Sequence, residues 1–314
     1  MSGLDVLMLF FLLGVAAGLL RSDLTLPKGL YDTLTIYLLL AIGLKGGVEM
    51  ARQPLGMMLP QMGLVMTLGV ILPLLAYPIL RFLGRFAIAD AASIAAHYGS
   101  VSVGTFAVAV AFLESAGIAF ESYMPVFVVV LEMPAIAVGI MIARKGMGGP
   151  IPVGRLLHEV FLSKGMVLLG GGLLIGFFAG PDGVKSIQPF YGDLFKGMLA
   201  LFLVDMGLVA SRRVKALRQC GVFLISFAVL MPLASSLFGV ALGQFMGLSV
   251  GGIALLATLA ASASYIAVPA AMRLAVPEAN PTYSITAALG VTFPFNVIFG
   301  IPLYLQFAER FAGI

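Results

Sequence analysis

Long apolar runs alternate with short polar interruptions along the chain, and the runs have membrane-crossing rather than globular length. A helix needs about 20 mostly apolar residues to span a bilayer. Cutting at charges and turn residues predicts ten runs, at about 4–20, 30–50, 54–82, 87–113, 123–143, 165–180, 191–210, 219–246, 250–274 and 283–308. No Lys or Arg precedes the first run, so it lacks the basic segment of a secretory signal and is read as a spanning helix. Pro73 and Pro232 predict tilt or a kink in the third and eighth runs. Between the fifth and sixth, Val153 to Ser163 reads as a short interfacial helix. There Leu156, Leu157, Val160 and Phe161 oppose Arg155, His158 and Glu159.

Five runs and five runs suggest a repeat, and the sequence contains one. Asp32 and Asp193 lie 161 apart, as do Gly46 and Gly207. Pro73 and Pro232 lie 159 apart; Ser102 and Ser262, and Pro134 and Pro294, lie 160 apart. An odd number of spans per repeat makes the two halves run oppositely through the membrane, a transporter architecture. The expected fold is therefore an all-α integral membrane protein of ten transmembrane helices in two inverted five-helix repeats, with helices four and nine broken. Residues 1–146 form the first repeat and 165–314 the second; 147–164 is a cytoplasmic linker carrying the interfacial helix. Thirteen of the 18 Lys and Arg residues fall in the turns after odd-numbered spans. That bias puts those turns in the cytoplasm and both termini outside.

Composition removes other classes. Apolar residues are 61% and charged residues 10%, so the chain cannot cover a soluble globule of this size with polar groups. The net charge of +4 comes from scattered residues with no basic stripe, which excludes a nucleic-acid surface. The single cysteine, Cys220, excludes an internal disulfide framework, and no Cys or His spacing suggests a transition-metal site or a cofactor. Cys220 follows Arg212, Arg213, Lys215 and Arg218, which places it at the cytoplasmic end of the eighth span.

The candidate chemistry lies where two runs make poor continuous helices. Gly99-Ser100-Val101-Ser102-Val103-Gly104-Thr105 interrupts the fourth, and Ala261-Ser262-Ala263-Ser264-Tyr265, followed by Pro269, interrupts the ninth. Matching weak points in two inverted halves mark a transport site. The second half of a broken helix offers free N–H groups and a positive dipole end to an anion. Carbonyl ends and hydroxyls suit Na+. The anion-binding candidates are Ser102, Gly104, Thr105, Ser262, Ser264 and Tyr265. The Na+-binding candidates are Ser102, Thr105, Glu132, Ser262, Ser264, Thr292 and Asn296. Glu132 qualifies because a carboxylate deep in a span is costly unless it is used. The spacings Gly14–Gly18, Gly43–Gly47, Gly172–Gly176 and Gly243–Gly247 read as packing surfaces, a subunit interface among the possibilities. His97 reads as a hydrogen-bonded packing residue ahead of a proton carrier. Lys45 and Asp205 read as reaching the membrane interface, and Ser249 as a neutral turn position. A hydrolase using Ser100 or Ser102 with His97, and a channel, are the other classes. The first requires a Ser–base hydrogen bond and the second a continuous pore.

Leu44 to Met50, Gly99 to Thr105, Glu132-Met133-Pro134-Ala135, Ala261 to Pro269 and Val276-Pro-Glu-Ala-Asn-Pro281 resemble the SbtA-type sodium-dependent bicarbonate transporters of bacteria. The resemblance implies ten helices in inverted repeats and a homotrimer. It also implies bicarbonate and Na+ held between the broken parts of helices four and nine, and a PII-like regulatory partner on the cytoplasmic face. The implied activity is Na+-coupled symport of bicarbonate, or a closely similar small anion, into the cytoplasm. Cyanobacterial members read Ser-Gly-Ser-Thr where this chain has Ser102-Val103-Gly104-Thr105. They read Ser-Ser-Ser-Asp at Ser262-Ala263-Ser264-Tyr265, and Asp at Glu132. The phenol at Tyr265 leaves open a related transporter of another small anion with altered or absent Na+ coupling.

Overall fold

The computed structural model describes residues 6–150 and 153–312, and every regular element among them is helical. Seven helices are long and apolar enough to cross a membrane: Gly29–Arg52, Gly56–Leu83, Ile88–Ser115, Met124–Gly146, Lys164–Ile187, Cys220–Phe245 and Pro281–Phe311. Three predicted runs fall outside that set for separate physical reasons. The first is the 14-residue α1, Val6–Leu19. The seventh, at the start of a long helix, carries Lys196, Asp205 and Arg212 within one bilayer length. The ninth is divided by its break into two short helices.

The remaining elements are α2 (Lys28–Arg52), α3 (Leu55–Pro78), α4 (Ile88–Gly99), α5 (Val103–Ser115), α6 (Met124–Gly146), α7 (Val153–Phe161), α8 (Lys164–Val184), α9 (Phe195–Phe245), α10 (Val250–Ala260), α11 (Ala267–Ala275) and α12 (Pro281–Ala287). The last continues through π-helical turns at Ala288–Thr292 and Asn296–Gly300 into a helix over Ile301–Ala312. Pro294 and Pro302 supply no N–H to the ordinary ladder, and widened turns accompany them. α9 is interrupted at Gly221, whose φ of 71° and ψ of 163° suit only glycine.

Close glycine contacts assemble the outer part of the molecule. A Cβ on Gly14 or Gly207 would meet the Val204 or Phe11 carbonyl oxygen at 2.1 or 2.3 Å, so α1 and the first part of α9 touch backbone to backbone. α2 and α8 meet in the same way, with Gly43 and Gly47 against Leu169 and Leu173, and Gly172 and Gly176 against Leu40 and Leu44. Gly243 abuts Ile253 of α10. The Gly14–Gly18, Gly43–Gly47 and Gly172–Gly176 spacings therefore serve helix pairs within the chain, whereas Gly247 lies in the turn after α9 with positive φ, and a Cβ there would meet nothing. Packing and close carbonyl contacts, rather than water exclusion, bind helices in lipid. Large exposed side chains such as Leu174, Ile175 and Phe178 on α8 face outward, as a lipid-bathed surface allows.

α7 covers most of the predicted interfacial helix. Val160 is buried while Leu157 and Phe161 are exposed; the side chains of Arg155, Leu156 and Glu159 lie outside the described residues, as do Ile151 and Pro152. Cys220 is buried at the Gly221 interruption.

Candidate transport site

The α4–α5 span is the most enclosed in the molecule, with 94% of its most apolar stretch buried. Its helix stops at Gly99, runs extended through Ser100 to Ser102 and restarts at Val103. A Cβ on Gly99 would lie 2.4 Å from the Pro73 ring, so α3 presses directly on the end of α4. The second break runs from Ala261 to Ile266, between α10 and α11.

The two breaks touch. The Ser102 N–H donates to Ser262 Oγ at 2.9 Å, and the Ser264 N–H donates to the His97 carbonyl at 2.8 Å. Ser102 caps α5: its Oγ accepts from the Thr105 N–H at 3.0 Å and from Thr105 Oγ1 at 2.8 Å. Ser262 Oγ donates to the Leu259 carbonyl at 2.9 Å. All four of Ser102, Thr105, Ser262 and Ser264 are at most 3% exposed. A buried polar group without a partner is costly, and this network answers most of that demand internally. Two of the N–H groups expected to face an anion, on Thr105 and Ser264, are thus paired within the protein.

Tyr265 stands where α5 begins. A Cβ on Gly104 would lie 2.4 Å from its hydroxyl oxygen and 2.8 Å from Phe202 Cε1. The ring packs edge-on against Phe293, with centroids 5.5 Å apart, and the hydroxyl makes no geometrically satisfied hydrogen bond among the described residues. The space that the missing side chain of Gly104 leaves is therefore filled by a phenol and a phenyl ring. A neutral oxygen occupies the positive end of α5.

The other Na+ candidates divide. Asn296 joins the second break, donating from Nδ2 to the Ala261 carbonyl at 2.9 Å while its Oδ1 accepts from Tyr304 at 2.7 Å. Thr292 Oγ1 donates to the Ala228 carbonyl and accepts from the Tyr98 hydroxyl, each at 2.7 Å, away from the serine network. Glu132 is 2% exposed, with Oε2 unpartnered. Its Oε1 faces Gly165 at the start of α8, close to Ala267 at the start of α11. The start of α8 thus lies beside this carboxylate, and no backbone N–H among the described residues bonds to it. It shares no hydrogen bond with the serines. Sequence patterns gave no sign of Tyr98, Phe202 or Tyr304, each an aromatic among many in apolar runs.

The motif around Asn280 has a structural use. Asn280 caps α12 by accepting the Thr282 N–H at 3.0 Å, and its own N–H donates to Asp90 at 2.7 Å. Arg144 donates to the Ala275 carbonyl, closing the end of α11, and pairs with Glu278 at 3.3 Å.

Cavities flank the breaks. One of about 680 Å³ is lined by Lys45, Glu114, Asp193 and Lys196 and reaches Phe106 and Ala107, the two residues after Thr105. Glu114 bridges Lys45 and Lys196 at 3.6 and 3.0 Å. The second, of about 120 Å³, lies by the first half of the broken span, against Ser93 and His97.

Neither Ser100 Oγ nor His97 Nε2 has a hydrogen-bond partner, so the nucleophile–base contact of a serine hydrolase is not formed. No curated protein matches the chain. A family model described as the Na+-dependent bicarbonate transporter superfamily matches residues 7–309, and the chain belongs to that superfamily.

Proposed function

We propose that the protein is a secondary active transporter that carries bicarbonate, or a closely similar small anion, into the cytoplasm with Na+. The observation that carries this reading is the direct hydrogen bond from Ser102 to Ser262, which joins the two helix breaks at positions 160 residues apart. Ten spanning segments in two inverted repeats, 1–146 and 165–314 joined by 147–164, account for that contact. The outer packing supports the same symmetry: Gly14 meets Val204 as Gly172 meets Gly43, with Gly14 and Gly172 158 residues apart and Gly43 and Val204 161 apart. α1, α2, α8 and the first part of α9 would form a frame, against which the spans carrying the breaks move the site from one side to the other. The large cavity lies between these two groups.

In this reading Ser102, Gly104, Thr105, Ser262, Ser264 and Tyr265 receive the anion. Hydroxyl and carbonyl oxygens of Ser102, Thr105, Ser262, Ser264 and Asn296, with Glu132 and Thr292 nearby, serve Na+. An all-oxygen donor set suits that hard cation. The internal pairing of the Thr105 and Ser264 N–H groups means the anion must displace existing hydrogen bonds, and Tyr265 must withdraw from Gly104. A bacterial inner-membrane location follows from the resemblance, and both termini periplasmic from the charge bias. Homotrimer formation and a PII-like cytoplasmic regulator follow from the resemblance. Since the glycine pairs of α1, α2 and α8 are engaged within the chain, a trimer would use other faces.

Labelled-bicarbonate uptake into proteoliposomes tests the reading. Saturable uptake that rises with an inward Na+ gradient is expected. Uptake that ignores Na+ would leave an anion transporter without sodium coupling, the reading that Tyr265 favours. No saturable uptake of bicarbonate would overturn the proposal.

A further inference from the structure

His97 lies at the crossing of the two breaks, 0% exposed, with its carbonyl holding the Ser264 N–H. Its Nδ1 is 2.7 Å from the Ser93 carbonyl. A carbonyl can only accept, so the proton sits on Nδ1, and Nε2 presents a lone pair. That lone pair has no partner among the described residues. His97 borders the cavity of about 120 Å³, whose wall also includes Ser93, Arg273 and Ser284. At ~30 Å³ per water molecule, the space is ample for a ligand of four heavy atoms.

A buried acceptor beside a cavity that is mostly apolar but carries Ser93, Arg273 and Ser284 can be satisfied only by a hydrogen-bond donor. Arg273 brings a positive charge to the same cavity. A ligand that meets both demands is a small anion carrying its own O–H group. Nitrate, chloride and formate offer acceptors alone; hydrogen carbonate offers a charged carboxylate edge and one hydroxyl.

We propose that this cavity is a second anion subsite, in which His97 Nε2 accepts the hydroxyl proton of a hydrogen-carbonate-type anion and Arg273 faces its charge. The subsite deepens the transport reading above and rests on it. Its position follows from the chain: Ser93 and His97 precede the first break, whereas the large cavity lies beyond it, so the two cavities flank opposite ends of the crossing. The anion passes from the large cavity through the breaks to His97, which selects for the O–H before release. An anion with no hydroxyl leaves Nε2 unpaired, and that penalty weakens its hold about 5- to 150-fold.

The test uses full-length protein with nitrogen-labelled histidine, His158→Gln serving to assign the two imidazoles by magnetic resonance. Bicarbonate is expected to shift the His97 Nε2 signal saturably towards a hydrogen-bonded acceptor, and formate at equal concentration is not. In uptake, His97→Met should weaken apparent bicarbonate affinity about 5- to 150-fold, and His97→Gln, which keeps an acceptor oxygen near Nε2, should restore most of it. An Nε2 signal already hydrogen-bonded without added anion would assign the cavity to water and overturn the proposal. An equal shift with formate would also overturn it. Bicarbonate uptake with no Nε2 shift would overturn the subsite alone; a shift without uptake would overturn the transport reading and leave the subsite standing.

Discussion

Replacing Gly104 with alanine tests the packing at the start of α5. The added Cβ would lie 2.4 Å from the Tyr265 hydroxyl and 2.8 Å from Phe202 Cε1, where ordinary contact begins at 3.4 Å. Relief requires the phenol to move by about 1 Å, yet its ring is wedged against Phe293 and nearly buried. Overpacking of this kind costs about 1–3 kcal/mol. Tyr265→Phe removes the closer of the two obstacles and leaves the Phe202 contact. In the double variant the loss should therefore shrink, with a coupling of about 0.5–2 kcal/mol between the two positions. The buried thiol of Cys220 provides the assay, because a maleimide fluorophore reaches it only as the protein unfolds on heating. Strictly additive effects, or a silent Gly104→Ala, would refute the placement of Tyr265 over Gly104. A bulkier Gly104→Leu would disrupt the same aromatic contact before any ligand is involved.

Glu132→Gln should raise the Na+ concentration for half-maximal uptake about 10- to 150-fold, the range for losing one charged hydrogen-bonding contact; an unchanged Na+ dependence would return Glu132 to a structural role. Ser249→Ala should lower stability by about 1 kcal/mol without altering bicarbonate affinity, since Ser249 caps α10 through the Gly252 N–H and is itself bonded to Glu121. In a Cys220→Ser background, an impermeant maleimide added to intact cells should label Ser186→Cys and spare Leu20→Cys, both exposed positions; the reverse pattern would invert the orientation.

The helix interruptions were legible because Gly and Ser weaken a helix wherever they cluster, and the clusters at Gly99–Thr105 and Ala261–Tyr265 stand in otherwise apolar runs. Proline positions carried less: Pro73 and Pro232 lie inside α3 and α9, and the interruption of α9 falls at Gly221. Partner choice was not legible. Asn296 with Tyr304, and Thr292 with Tyr98, are pairings set by how spans pack, and no periodicity encodes them. The glycine spacings announced close approach without saying to what; only the assembled chain shows Gly47 against Leu173. Ser249 read as neutral, yet it caps α10 locally through the Gly252 N–H; only its bonds to Glu121, 128 residues away, lay beyond the sequence pattern. Tyr265 read as a lost acid, whereas its ring fills the space beside Gly104. Cys220 read as lying at the cytoplasmic end of the eighth span, and its burial at the Gly221 interruption was not legible.

The central claim, that the joined breaks hold the transported anion, is tested most directly by the apparent bicarbonate affinity of Ser102→Ala and Ser262→Ala in proteoliposomes. Ser262→Ala removes the hydroxyl that accepts from the Ser102 N–H across the two breaks, and Ser102→Ala removes the hydroxyl that caps α5. The account predicts apparent affinity about 10- to 150-fold weaker in each variant, in protein that still melts cooperatively. Wild-type affinity in both variants would contradict it and move the anion site away from the breaks.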